Sequence, residues 1–101
     1  MRVVLDGNTI DSREALHETL ARELHFPAWY GRNLDALFDS LTDIREDTEI
    51  CLCHLAALEA ALGTYAGRLV RVLRRAAEEN PRIRLELTED SAASDTERSG
   101  A

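Results

Sequence analysis

The sequence predicts an α/β protein: a three-stranded parallel sheet packed by about four helices, in the order β-α-α-β-α-α-β. Three observations carry that prediction. Short β-branched or alternating runs occur at three places, "RVVLDG", "TEICLCH" and "IRLEL". Apolar residues at helical spacing fill the stretches between them. Strands separated by helices pair in parallel, because a parallel connection needs a crossover of a dozen residues or more. The 101 residues bound a single domain, one long enough to bury roughly two-thirds of its unfolded surface.

Each element has a local signature. "RVVLDG" closes on Asp6-Gly7, a strand followed by a turn. "DSRE" places Asp11 as N-cap with Glu14 three residues on, the capping-box spacing. Leu16, Leu20 and Leu24 then repeat every four residues, which predicts a helix over 12–25 with Pro27 as its stop. His17 and His25, on or near this helix, are expected in surface or capping roles. Asn33 is a strong N-cap, and Leu34, Leu37, Leu41 and Ile44 behind it form one stripe of a second helix. After the strand "TEICLCH", "HLAALEAALG" reads as a short helix ended by Gly63. A longer, basic-faced helix is expected over 66–79, broken by "NPR". The domain spans 1–88. Residues 89–101, "EDSAASDTERSGA", lack apolar periodicity and are expected to form a disordered acidic tail.

The formal net charge is −7, with every one of the 12 bases an arginine. Glu89, Asp90, Asp95 and Glu97 against Arg98 give the tail −3 and leave −4 on the body. An acidic body argues against direct nucleic-acid binding, which needs a basic surface, and favours a basic protein partner. No apolar run is long enough to span a bilayer, and "MRVVLDG" lacks the apolar core of a signal peptide, so a cytoplasmic location is expected. Cys51 and Cys53 would face the same way on a strand. Buried or edge thiols are expected, since "CLCH" has no second ligand pair nearby in sequence to complete a metal site.

The stretch "WYGRNLDALFDSL" is not built for stability alone. Asp35 and Asp39 lie four apart, a like-charge spacing that costs a helix a few tenths of a kcal/mol. Neither has a base four positions later to offset it. Both carboxylates point away from the leucine stripe, with Phe38 between stripe and ridge and Trp29, Tyr30 and Gly31 just ahead. Aromatics beside charges have the make-up of an interface centre. Paired carboxylates also suit hydrolysis, but a convex helix face with no convergent polar group, and the absence of a nucleophile elbow, Walker loop, GxGxxG or HExxH, argue against an enzyme.

At this stretch the sequence resembles the barstar family of intracellular ribonuclease inhibitors. "LHETLARELHFPAWYGRNLDALFDSLT" is similar to that family's pattern of a helix, a proline, an aromatic pair, Gly-x-Asn-Leu-Asp-Ala-Leu, an aromatic and Asp. The resemblance runs over residues 1 to about 88, most closely through Thr42. It implies a protein without catalysis or cofactor that plugs the active site of a small guanyl-specific ribonuclease. It further implies that Asp39 meets the nuclease's phosphate-binding arginines and histidine, Asp35 a basic side chain at the rim, and Trp29 the catalytic histidine. Gly31, Asn33 and Leu34 would give close approach and packing. Tyr30, Phe38, Thr42, Val72 and Glu79 complete the implied contact set. Trp29 and Phe38 stand where the family's namesake carries tyrosine and tryptophan. Arg75 stands where it carries an acid, so a partner other than barnase is expected. The expected partner is a secreted or toxin-type ribonuclease with a basic cleft, bound 1:1 by a monomer. The alternative is a barstar-like module that binds a different toxin or regulatory protein.

Overall fold

In the structure, a computed structural model, residues 1–89 are described. The elements are β1 (Arg2–Asp6), α1 (Arg13–Glu23), α2 (Leu34–Thr42), β2 (Thr48–Cys53), α3 (Leu55–Leu62), α4 (Thr64–Glu79) and β3 (Ile83–Thr88). The three strands form one sheet in the order β1-β2-β3, parallel throughout. This is the expected fold class and element order. Both crossovers advance in the same direction across the sheet, so right-handed connections put the helices on one face. Val3 pairs with Ile50 and Ile50 with Leu85; Leu5 pairs with Leu52 and Leu52 with Leu87. In-register partners share a face, and these six join the leucines of α1, α2 and α4 in one apolar cluster. Central β2 is buried along its whole length except at Glu49, as a middle strand must be. Cys51 and Cys53 are both buried.

Three helix ends differ from expectation. The N-cap of α1 is Ser12, not Asp11: the Ala15 amide donates to Ser12 Oγ at 3.0 Å. A hydroxyl one residue later wins because capping is decided by which residue adopts the extended turn into the helix, and that is Ser12. The far end stops before the proline has any influence. His25 takes a left-handed φ of 59°, and the Phe26 amide returns to the Ala21 carbonyl at 2.9 Å. That six-to-one bond terminates the helix in a Schellman turn. Helix α4 starts at Thr64, two residues ahead of the expected start, directly after Gly63 at φ 62°.

Helix α2 is fixed at both ends. Asn33 Oδ1 accepts the Ala36 amide at 2.8 Å. At the other end, Asn80 Nδ2 donates to the Leu41 and Ile44 carbonyls at 2.9 and 3.0 Å. The Leu41 carbonyl also accepts the Ile44 amide at 3.2 Å, so Asn80 adds a second bond at the end of the helix and one in the turn that follows. Asn80 is itself buried at the end of α4. One side chain thus ties the ends of α2 and α4 together, and these two helices pack along each other. Leu34, Leu37 and Leu41 form the buried stripe as expected, while Ile44 lies past the helix and is half-buried.

Helix α3 has no side-chain cap from its own N-cap residue, His54. The Glu89 carboxylate does that work instead, accepting the Ala56 amide at 3.0 Å. The remainder of the expected tail, 90–101, lies outside the described residues. Among the described residues, no helix is long and apolar enough to cross a membrane.

Candidate functional site

The loop between α1 and α2, together with the outer face of α2, forms the candidate site. The loop is built tightly. The Tyr30 amide donates to the Pro27 carbonyl at 3.0 Å, closing a turn that lifts Ala28 and Trp29 outward. Trp29 is 83% exposed, while its neighbour Tyr30 is 5% exposed. The Tyr30 ring packs on Phe26 with centroids 4.8 Å apart. Arg32 holds a left-handed φ of 56°, which turns the chain into the helix. Asn33 Nδ2 reaches back to the Gly31 carbonyl at 3.2 Å. Any Cβ on Gly31 would stand 3.1 Å from the Ala36 Cβ, so the absence of a side chain there lets the loop lie against the first turn of α2.

Beneath the loop lies His17, a correction to its expected surface role. It is 1% exposed. Its Nδ1 is 2.7 Å from the Tyr30 hydroxyl and its Nε2 is 2.8 Å from the Tyr65 hydroxyl. A hydroxyl both donates and accepts, so the two tyrosines satisfy either tautomer of a neutral imidazole. Burial, and then the nearby Arg32 charge, hold the His17 pKa below its ordinary value. Burial, and then the neighbouring Tyr65, push the Tyr30 hydroxyl well above the ordinary phenol range. The triad joins α1, the loop and α4 in one buried polar unit.

On α2, Asp35 and Asp39 are exposed one helical turn apart. Among the described residues, no hydrogen bond or ion pair engages either carboxylate. Two of the cations beside Asp35, Arg32 and Arg13, are engaged elsewhere. A cleft of about 480 Å³ beside the start of α2 is lined by Arg13, Arg32, Arg68, Glu14 and Asp35 among others. Arg32 pairs with Glu18 across this region, an interaction that lowers the Glu18 pKa. Arg13 lies over the Tyr65 ring, 4.3 Å from its centroid. Asp35 also stands in the first turn of α2, where the helix dipole favours it.

The remaining sequence-derived residues sit around this ridge. Leu34 is buried in the core, and Phe38 is half-buried. Thr42 donates its hydroxyl to the Asp39 carbonyl at 3.0 Å. Val72 and Glu79, on α4, are half-buried and exposed respectively. Arg75, between them, lies over the Phe38 ring at 5.1 Å. Its stem and charge are therefore drawn onto an aromatic face beside the ridge, and no ion pair links it to Asp39. Sequence reasoning missed His17, Tyr65, Arg13 and Arg32 as parts of the site. Their contacts are with residues remote in the chain, so no local spacing reveals them.

Fold and site together define a small α/β domain whose acidic helix face has no bonded partner among the described residues and is backed by a buried polar clamp. The chain belongs to the barstar family: the family model described as Barstar (barnase inhibitor) matches residues 1–90. A similar relative is the putative ribonuclease inhibitor YrdF of Bacillus subtilis (strain 168), 37% identical over 79 residues, which cover 77% of this chain and 87% of the relative.

Proposed function

We propose that this chain inhibits a small guanyl-specific ribonuclease of the secreted or toxin type. Helix α2 and the loop ahead of it enter the enzyme's cleft, and their carboxylates stand where RNA phosphate would sit. The family and the name of the relative support a ribonuclease as partner. The observation that carries the mechanism is the state of Asp35 and Asp39: exposed, one turn apart, and unpaired among the described residues.

A nuclease cleft is cationic because it holds a phosphodiester. Charge-assisted bonds from arginine to a carboxylate are the strong class of hydrogen bond. Here the acceptors ride on a helix capped at one end by Asn33 and tied at the other by Asn80. Little ordering cost then remains to be met on binding. Opposite fields also speed the encounter. Trp29, with its exposed ring, packs on the enzyme's catalytic histidine. Thr42, Val72 and Glu79 form the rim. The chain acts as a monomer in a 1:1 complex inside the cell that makes the nuclease, and performs no catalysis itself.

Arg75 favours a narrower choice of partner. A cation over Phe38 at the edge of the ridge repels a uniformly basic cleft. The partner carries an acidic or neutral group at that rim, as a barstar-like module for a different toxin would require.

The test is capture from the native host extract on immobilised wild type and Asp39→Ala, followed by RNA-cleavage assays of what the wild type alone retains. A retained ribonuclease, silenced when free wild-type chain is added back, supports the reading. Retention of the same proteins by both columns sinks it.

A further inference from the structure

We propose that the C-terminal ends of β1 and β2 form a binding site for one divalent borderline-soft metal ion, zinc foremost, held by Asp6, Cys53 and His54. A ligand atom from each of these residues lies within 4.8 Å of the other two. The donor set comes from the sheet register. Asp6 is the in-register partner of Cys53, so both side chains leave the same face of adjacent strands. His54 follows Cys53 directly. In an extended strand it would point to the opposite face, but its φ of 55° and ψ of 50° break the strand and bring the imidazole round.

That left-handed conformation is uncommon for a residue with a Cβ and carries a conformational cost. It is held by the turn opposite. The Gly7 amide donates to the Cys53 carbonyl at 2.9 Å. A Cβ on Gly7 would stand 2.1 Å from the His54 carbonyl oxygen. The two turns are therefore locked together through backbone. The imidazole itself makes no capping bond to α3, and the N-terminal amide of Ala56 is served by Glu89. The histidine at this position is not explained by helix capping.

The chemistry selects the ion. One imidazole nitrogen, one carboxylate oxygen and one thiolate sulfur are the zinc donors, and a mixed set with sulfur disfavours magnesium and calcium. Thiolate and carboxylate together neutralise the dication. Tetrahedral zinc needs ligand atoms roughly 3.3–3.7 Å apart. The three ligand atoms already lie within 4.8 Å of one another, so closing to that spacing takes a shift of about 1 Å. Asp6 Oδ1 accepts the Asn8 amide at 2.9 Å, which orients the carboxylate and leaves its second oxygen for the ion. The Cys53 thiol lies 3.5 Å from the Leu5 carbonyl. On binding, the S–H bond breaks, its electron pair forms the sulfur–metal bond, and the proton leaves to solvent. Asp6 and His54 are half-exposed, which gives the ion a path in. The fourth position is open to water or to a ligand from another molecule.

The test is titration of the full chain with Co²⁺ alone, as a spectroscopic stand-in for zinc, at about pH 8 with a non-chelating reductant. One equivalent should raise a near-ultraviolet thiolate-to-cobalt band with the visible bands of four-coordination, and zinc should abolish both. Calorimetry in two buffers should show release of about one proton. Cys53→Ser should remove the near-ultraviolet band, and Cys51→Ser, folded by circular dichroism, should keep it. Asp6→Asn and His54→Gln should each weaken binding at least tenfold. These two half-exposed positions decide the matter even where Cys53→Ser fails to fold. Absence of the band in wild type overturns the proposal, as does an undiminished affinity in both Asp6→Asn and His54→Gln.

Discussion

Replacing Asp39 by alanine should separate binding from stability in opposite directions. In the free chain the Asp39 carboxylate is exposed, and no hydrogen bond or ion pair among the described residues engages it. Its removal therefore leaves no buried group unsatisfied. It also relieves repulsion from Asp35, about 0.2–0.5 kcal/mol, and exchanges a poor helix former for the best one, roughly another 0.5 kcal/mol. The variant should be more stable by about 1 kcal/mol, a rise of roughly 4–8 °C in Tm for a domain of this size. In the proposed complex the same carboxylate would become one half of a desolvated charge pair. Removing one partner of such a pair costs about 3–5 kcal/mol, because the other charge stays buried without compensation. That corresponds to roughly 150- to 5,000-fold in Kd. Calorimetric titration against the captured ribonuclease reads the second quantity and differential scanning calorimetry the first. Unchanged affinity would refute the docking geometry. A fall in Tm would show that the carboxylate serves the chain's own fold.

Four further outcomes follow from the same structure. Trp29→Ala should leave stability within about 0.5 kcal/mol, since the ring is exposed, yet weaken the complex by about 2–3 kcal/mol from lost ring burial; equal losses in both assays would contradict this. Asn33→Ala should cost about 1 kcal/mol in urea unfolding at unchanged m-value, whereas Asn33→Ser should retain most of the cap. Burial holds His17 below its unfolded pKa of 6.5, so the unfolded chain binds more protons between the two values. Stability is therefore whole above about pH 6.5 and declines as pH falls through the folded value; His17→Gln should flatten that segment of the curve in urea titrations. Gly7→Ala should destabilise by about 2–3 kcal/mol, because the new Cβ would stand 2.1 Å from the His54 carbonyl oxygen, a backbone atom; a denaturation midpoint matching wild type would disprove the close approach.

Legibility in the sequence followed the range of the interactions. Strands and helices came through because their periodicities are local, and the leucine stripe of α2 was placed correctly. The Asn33 cap was equally readable, since a side chain meeting an amide three residues on depends only on neighbours. Capping at α1 was less secure, as Asp11 and Ser12 both suit the role and only the backbone turn separates them. His17 was misjudged because its partners lie 13 and 48 residues away, so its position beside Leu16 gave no hint of a buried polar triad. The Asp6–Cys53–His54 grouping stayed hidden for a related reason. "CLCH" shows two ligands, and the third arrives only through strand pairing. Arg75 was readable as a departure from the family's pattern, but its contact with Phe38 depends on how α2 and α4 lie against each other.

The buried imidazole beneath the loop gives adjacent positions opposite tolerances. Residue 29 is exposed and makes no bond to the other described residues, so on the proposed reading it is free to drift with the partner's surface. Residue 30 is bound into a shared proton arrangement with two distant segments, and losing its hydroxyl strands a ring nitrogen in the interior. Retargeting such an inhibitor would therefore proceed by exchanging the tip of the loop, while its root changes only when all three members of the clamp are replaced in concert.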